Sequence, residues 1–153
     1  MVGMGELVAE QNPLKFVFYM AAPAQKVWDG FTSRESNRTL FMGADLQGEW
    51  KPGGTVKWVG KGLDEEPIDF VRGEVLRADA PKLLQYTFAT NGSEKFSRVT
   101  IELVRESEAT KVSVTHDQWA EDDGAYSTSA DGWPRILSRM KTLLETGKTF
   151  KPH

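Results

Sequence analysis

The pattern of apolar and polar residues predicts an α+β domain: a meander of antiparallel strands, two short helices near its start and one long helix at its end. Three observations carry this. From Ala44 to His116 apolar residues recur at strand period, with the short separators Asp79-Ala80-Pro81, Asn91-Gly92-Ser93 and Ser107-Glu108-Ala109. Connections so short join antiparallel neighbours, because a parallel crossover needs roughly a dozen or more residues. Helical period appears only before and after that run, and helices segregated from a continuous meander indicate α+β rather than α/β. Finally, in Gly132–Gly147, GWPRILSRMKTLLETG, the side chains Trp133, Ile136, Leu137, Met140, Leu143 and Leu144 share one side of a helix.

Each element has its own signal. The first dozen residues read as a loose arm. LKFVFYM, Leu14–Met20, alternates and is rich in aromatic and β-branched residues, as a strand is. Pro23 suits the first turn of a helix whose stripe is Val27, Trp28 and Phe31. Ser33 can cap a second brief helix that runs to about Leu40. ADLQGEW follows as a strand, Lys51-Pro52-Gly53-Gly54 as a turn, and Thr55–Val59 as the partner strand. Gly60–Pro67 reads as a polar loop, and Phe70–Ala78, Leu83–Ala89, Phe96–Arg105 and Lys111–His116 as further strands. In Phe96–Arg105, Val99, Ile101 and Leu103 alternate with Arg98, Thr100 and Glu102, which makes a sheet dry on one face. AEDDGAYSTSAD reads as a second polar loop before the terminal helix, with Ser129 or Asp131 as its cap and Pro134 in its first turn.

Composition narrows the function classes. A chain of 153 residues can bury roughly 68–70% of its unfolded surface and needs no staples. With 27% charged and 39% hydrophobic residues it has a soluble composition. A net charge of −3 argues against nucleic acid as the main partner. The absence of cysteine excludes disulfides, thiolate nucleophiles and Cys-ligated zinc. No basic segment followed by an apolar one marks a signal peptide, and no apolar run approaches the ~18 residues of a membrane span. The expected compartment is the cytoplasm, with no membrane partner.

The ordered motifs resemble one family. They are Ala22-Pro23-Ala24-x-x-Val27-Trp28, Gly48-Glu49-Trp50-Lys51-Pro52-Gly53-Gly54, Arg72-Gly73-Glu74-Val75-Leu76, Leu84-x-Tyr86-Thr87-Phe88, Val99-Thr100-Ile101-Glu102-Leu103, Thr115-His116 and Gly132-Trp133-Pro134-x-Ile136-Leu137-Ser138. Together they resemble the family related to the C-terminal domain of the activator of the 90-kDa heat-shock protein ATPase, within the START/Bet v 1-like (SRPBCC) superfamily. The resemblance spans about Leu14 to Gly147. It implies a helix-grip fold, a curved antiparallel sheet of about six or seven strands around a long C-terminal helix, with a hydrophobic cavity between them. The expected organisation is a flexible arm over residues 1–13, a single domain over 14–147 and a tail over 148–153. The co-chaperone that names the family needs an additional N-terminal domain for its stimulating activity. Chaperone activation is therefore not carried over by default.

Within such a fold the residues expected to line a ligand cavity are Trp28, Phe31, Trp58, Tyr86, Phe88, Ile101, His116, Trp119, Trp133, Ile136, Leu137 and Met140. Five tryptophans exceed what a core of this size needs, and apolar walls with a few polar handles are the usual make-up of small-molecule sites. His116 shares parity with Val112 and Val114 and should face the helix. It reads either as an acid–base group or as a buried, hydrogen-bonded strand-end histidine. Tyr86 ranks beside it as a polar handle, ahead of Tyr126, Thr100 and Arg72. Trp133 reads as a cavity lid or a core anchor. The acidic triplets Asp64-Glu65-Glu66 and Glu121-Asp122-Asp123 lack an EF-hand pattern and read as solvated loops. Gly60–Gly62 lacks the flanks of a phosphate loop, no Gly-x-Ser-x-Gly elbow occurs, and neither metal nor cofactor is expected. The expected function is binding of a small hydrophobic or aromatic molecule by a monomer or homodimer. The alternatives are a cyclase- or hydrolase-like reaction with His116 as proton carrier, and a chaperone-docking domain.

Overall fold

The computed structural model describes residues 10–151. The strands are β1 (Glu10–Gln11), β2 (Leu14–Met20), β3 (Asp45–Gly48), β4 (Thr55–Lys61), β5 (Pro67–Asp79), β6 (Leu83–Thr90), β7 (Ser97–Glu106), β8 (Ala109–Asp117) and β9 (Trp119–Ala120). The helices are α1 (Ala24–Thr32), α2 (Arg34–Leu40) and α3 (Ala125–Thr146). Seven strands form one antiparallel sheet in the order β2-β8-β7-β6-β5-β4-β3, and β1 pairs with β9 beside it. The sheet curves around α3, so the fold is the α+β helix-grip arrangement. Register shifts at Trp58/Val59 and Val75/Arg77 interrupt the ladders of β4 and β5, and bulges of this kind bend a sheet.

Alternation decides which side chains face the helix. Along β7, Ser97, Val99, Ile101 and Leu103 are buried, and along β8 so are Thr110, Val112, Val114 and His116. α3 covers this face with Trp133, Leu137 and Met140, each fully or nearly buried. Each such side chain contributes about 1.5–3 kcal/mol of burial free energy, enough to hold the helix in place. Ser33 caps α2 by accepting from the Ser36 amide at 3.1 Å. At the other end of the chain, Gly147 closes α3 in a left-handed conformation (φ 86°), and its amide donates to Leu143.

The structure departs from the sequence reading in several places. Of the expected loose arm, residues 1–9 lie outside the described residues, while Glu10–Gln11 form a strand. The Gln11 side chain donates to the carbonyls of Ala120 and Asp123, which ties this segment to the loop before α3. Within the expected tail, Thr149 donates to the Arg139 carbonyl and Arg139 to the Phe150 carbonyl. Residues 152 and 153 lie outside the described residues. The polar loop between β4 and β5 is shorter than its composition suggests, because the strands run on to Lys61 and back from Pro67.

The largest departure is the start of α3. The helix begins at Ala125, not near Gly132, and Asp123 accepts from the Ala125 amide at 3.0 Å in place of Ser129 or Asp131. Small polar residues hide a helical repeat there. Ala125, Ser129 and Trp133 continue the inner stripe at four-residue steps, and the Tyr126 ring packs edge-on against Trp119 at 5.3 Å. Pro134 therefore sits inside the helix rather than in its first turn. There it lacks the N–H that would bond the carbonyl four residues back.

Candidate functional site

Between α3 and the sheet lies a cavity of about 420 Å³. Its floor is Trp58 of β4, Phe70 and Val71 of β5, and Tyr86, Phe88 and Thr90 of β6. Phe31 of α1, Asn37 and Leu40 of α2, and Phe41 and Met42 after it form a second wall. α3 closes the third with Thr128, Ser129, Gly132, Trp133, Arg135, Ile136, Arg139 and Met140. Two glycines shape this space. A Cβ at Gly60 would overlap the Phe70 ring, so the missing side chain is what lets Phe70 lie over β4. Gly30 of α1 faces Met140, which allows α1 and α3 to approach closely.

Of the residues expected at a cavity wall, Phe31, Trp58, Tyr86, Phe88, Trp133, Ile136 and Met140 stand there, whereas Trp28, Ile101, His116, Trp119 and Leu137 stand elsewhere. Trp28 lies a turn back along α1 in the core, and Ile101 and Leu137 are fully buried in the same core cluster. His116 sits behind the wall. Phe88 and Trp133 both line the space and both touch its ring edge-on, with centroids at 4.7 and 6.1 Å. Trp119 stacks on the imidazole from another side at 4.0 Å.

The His116 imidazole is completely buried and fully bonded. Trp133 Nε1–H donates to Nδ1 at 3.0 Å. Nδ1 is therefore the acceptor and Nε2 carries the proton. Nε2 donates to the Ser97 hydroxyl at 2.7 Å, and that hydroxyl donates onward to the Phe88 carbonyl at 3.2 Å. Burial lowers the His116 pKa to about 3, against a smaller opposing effect of the Asp117 charge. A neutral ring with both nitrogens occupied and no face toward the cavity has neither a free proton nor a place to deliver one. Its chemistry is that of a crosslink between β7, β8 and α3.

The tryptophan surplus has the same explanation. Trp58 donates to Asn37 Oδ1 at 2.8 Å, Trp50 to the Thr32 carbonyl at 3.1 Å, and Trp119 to the His116 carbonyl at 2.8 Å. With Trp133 on His116, four of the five indoles join their element to another part of the chain. Asn37 completes its bonding through the carbonyls of Phe31 and Ser33 at 2.9 and 2.8 Å, and thereby locks the α1–α2 corner over β4.

Tyr86 is the exception. Its ring packs between Trp50 and Trp58, with centroids at 5.4 and 5.8 Å. Tyr86 lines the cavity, its hydroxyl makes no hydrogen bond to the described residues, and burial raises its pKa well above the ordinary phenol range. It is a neutral donor and acceptor waiting on an apolar wall. The other suggested handles point away: Thr100 accepts from Gln85, Arg72 donates to Ser93 and lies over the Phe96 ring, and Tyr126 packs on Trp119. Two acidic residues of the loop before α3 have structural partners, Asp122 with Lys95 and Asp123 with the α3 amide.

Among the wall residues that the sequence did not single out are Leu40, Phe41, Val71 and Arg135, and, of most consequence, Asn37, Phe70 and Arg139. Asn37 and Arg139 did carry a signal. Ser33, Asn37 and Leu40 share helical spacing, as do Ile136, Arg139, Met140 and Leu143. Each is a polar residue on an inner stripe.

Solved structures with this architecture are numerous. ChR145 from Cytophaga hutchinsonii aligns with a TM-score of 0.74 at 23% identity, over 90% of this chain and 97% of that one. PFC0360w, an HSP90 activator from Plasmodium falciparum, aligns with 0.73 at 17% over 88% and 97%. The Aha1 dimer from Colwellia psychrerythraea aligns with 0.72 at 20% over 90% and 99%. At these identities the likeness is one of fold. No curated protein matches the sequence. Residues 21–145 match the family model described as activator of Hsp90 ATPase homolog 1-like protein, from α1 through nearly all of α3, and the chain belongs to that family.

Proposed function

We propose that this protein binds a small, largely apolar molecule in the space between α3 and the sheet. The observation that carries the reading is the cavity itself: about 420 Å³, inside the roughly 300–1,000 Å³ typical of small-molecule sites. Its wall is built mainly of aromatic and aliphatic side chains, with the Tyr86 hydroxyl left over. A core meant only to be packed would be expected to fill such a volume, since interiors leave few voids larger than a water.

Titration with Nile red tests this. The probe is expected to bind with one-to-one stoichiometry and a blue-shifted emission. Ile136→Phe, which adds bulk to the wall, is expected to weaken binding about tenfold or more while costing no more than about 1–3 kcal/mol of stability. Absence of binding by fluorescence and by native mass spectrometry would count decisively against the proposal.

A second reading is a chaperone-docking domain, favoured by the family match and by the Plasmodium falciparum HSP90 activator among the fold relatives. A complex with purified heat-shock protein 90, together with a changed rate of ATP hydrolysis, would support it. Light scattering on the same sample reads whether the chain pairs with itself, as the Colwellia psychrerythraea relative does.

A further inference from the structure

The charge around the cavity has one sign. Arg135 and Arg139 are the charged side chains lining it, and no carboxylate does so among the described residues. They stand four residues apart on α3, a spacing that puts two side chains on one face. Arg135 is exposed and shared with Asp131, Nε to Oδ2 3.0 Å.

Arg139 is different. It is only 5% exposed, and its donors reach backbone carbonyls: Nη1 to Leu40 at 2.9 Å, Nη2 to Thr39 at 2.9 Å and Nε to Phe150 at 2.7 Å. These bonds hold the C-terminal end of α2 and the segment after α3, and use three of the five guanidinium N–H groups. They leave its charge uncompensated, because Arg139 has no carboxylate partner among the described residues. A cation withdrawn from water is costly unless an anion joins it. Here the space beside the cation is apolar and empty enough for a guest to bring that anion. One N–H on each of Nη1 and Nη2 remains to bond a carboxylate, and hydrogen bonds between ionised partners are roughly twice as strong as neutral ones.

We infer that the guest is an amphiphilic monocarboxylate, an alkyl or aryl acid whose apolar body fills the cavity and whose carboxylate lies against Arg139, with Arg135 adding positive charge one turn away. The inference rests on the reading of the cavity as a ligand site and names the ligand class. Tyr86, kept protonated, is a second donor for an oxygen of the same guest.

Displacement of Nile red from the full chain by decanoate, decanol and methyl decanoate tests it at neutral pH. Decanoate is expected to bind at least about tenfold more tightly than the two neutral analogues, the scale of one charge-assisted hydrogen bond. Arg139→Gln should bring the three within about threefold of one another. Because that variant also loosens α2, the Nε–H resonance of Arg139 is followed in the unaltered protein. It is expected to move with decanoate and stay in place with decanol. Equal binding of decanoate and decanol, or an unmoved Arg139 resonance at saturation, overturns the carboxylate assignment and leaves the apolar-guest reading standing. Failure of all three compounds and of Nile red to bind removes both.

Discussion

At the scale of single residues, His116 shows how geometry divides a structural group from a catalytic one. Its nitrogens are bonded to Trp133 and Ser97, and burial lowers its pKa to about 3. Imidazole NMR is expected to report a neutral Nε2–H tautomer from pH 8 down to about pH 4. The folded pKa lies below the unfolded value of 6.5, so between the two the unfolded chain binds the extra proton. The stabilising share of the neutral ring is therefore complete above about pH 6.5 and is lost as the pH falls toward 3. His116→Ala is expected to cost about 3–5 kcal/mol, since it empties a packed site and strands the Trp133 and Ser97 partners. A variant as stable as the parent, measured by urea unfolding, would contradict the crosslink. Strand parity was enough to turn His116 toward the helix. It could not reveal the shell of Phe88, Trp119 and Trp133, because these come from three separate elements.

Elements were legible where residue type and period agreed. β2, α1 and the Ser33-capped α2 could be read directly, because their apolar spacing and punctuation point the same way. α3 was legible only from Trp133 onward. Its first two turns are mostly alanine, serine and threonine, too small and polar to show a hydrophobic stripe in the sequence, and Pro134 imitates a helix start. One part of the cavity floor was hidden for a related reason. Phe70 reaches the space where β4 and β5 slip register, and a bulge leaves no mark in an alternating pattern. Gly60 makes that placement possible. Gly60→Ala is expected to push the Phe70 ring aside and to lower stability by about 1–3 kcal/mol, with weaker Nile red binding as the companion effect. Unchanged stability and affinity would mean that Phe70 does not depend on this glycine.

At the scale of the whole molecule, the architecture followed from short connections, one dry sheet face and one amphipathic helix, and the family motifs lie in the same order along the chain. What resisted reading was the fit between helix and sheet. Leu137 seals part of that interface, while Ile136, one position away, borders open space. A difference of one position on a helix turns a side chain by about 100°. It separates packing from cavity wall more finely than a hydrophobic stripe can show. The same interface therefore serves stability at one end and a guest at the other, with Tyr86 and the Arg135–Arg139 pair as the polar groups available to that guest.

The most direct measurement is a methyl-selective NMR titration of the intact protein with Nile red. Shift changes are expected to concentrate on Leu40, Ile136 and Met140, which line the cavity, and to leave Val17 and Val104 on the outer face of the sheet unmoved. Perturbations confined to the outer face, or none at saturating probe, would contradict a guest site between α3 and the sheet.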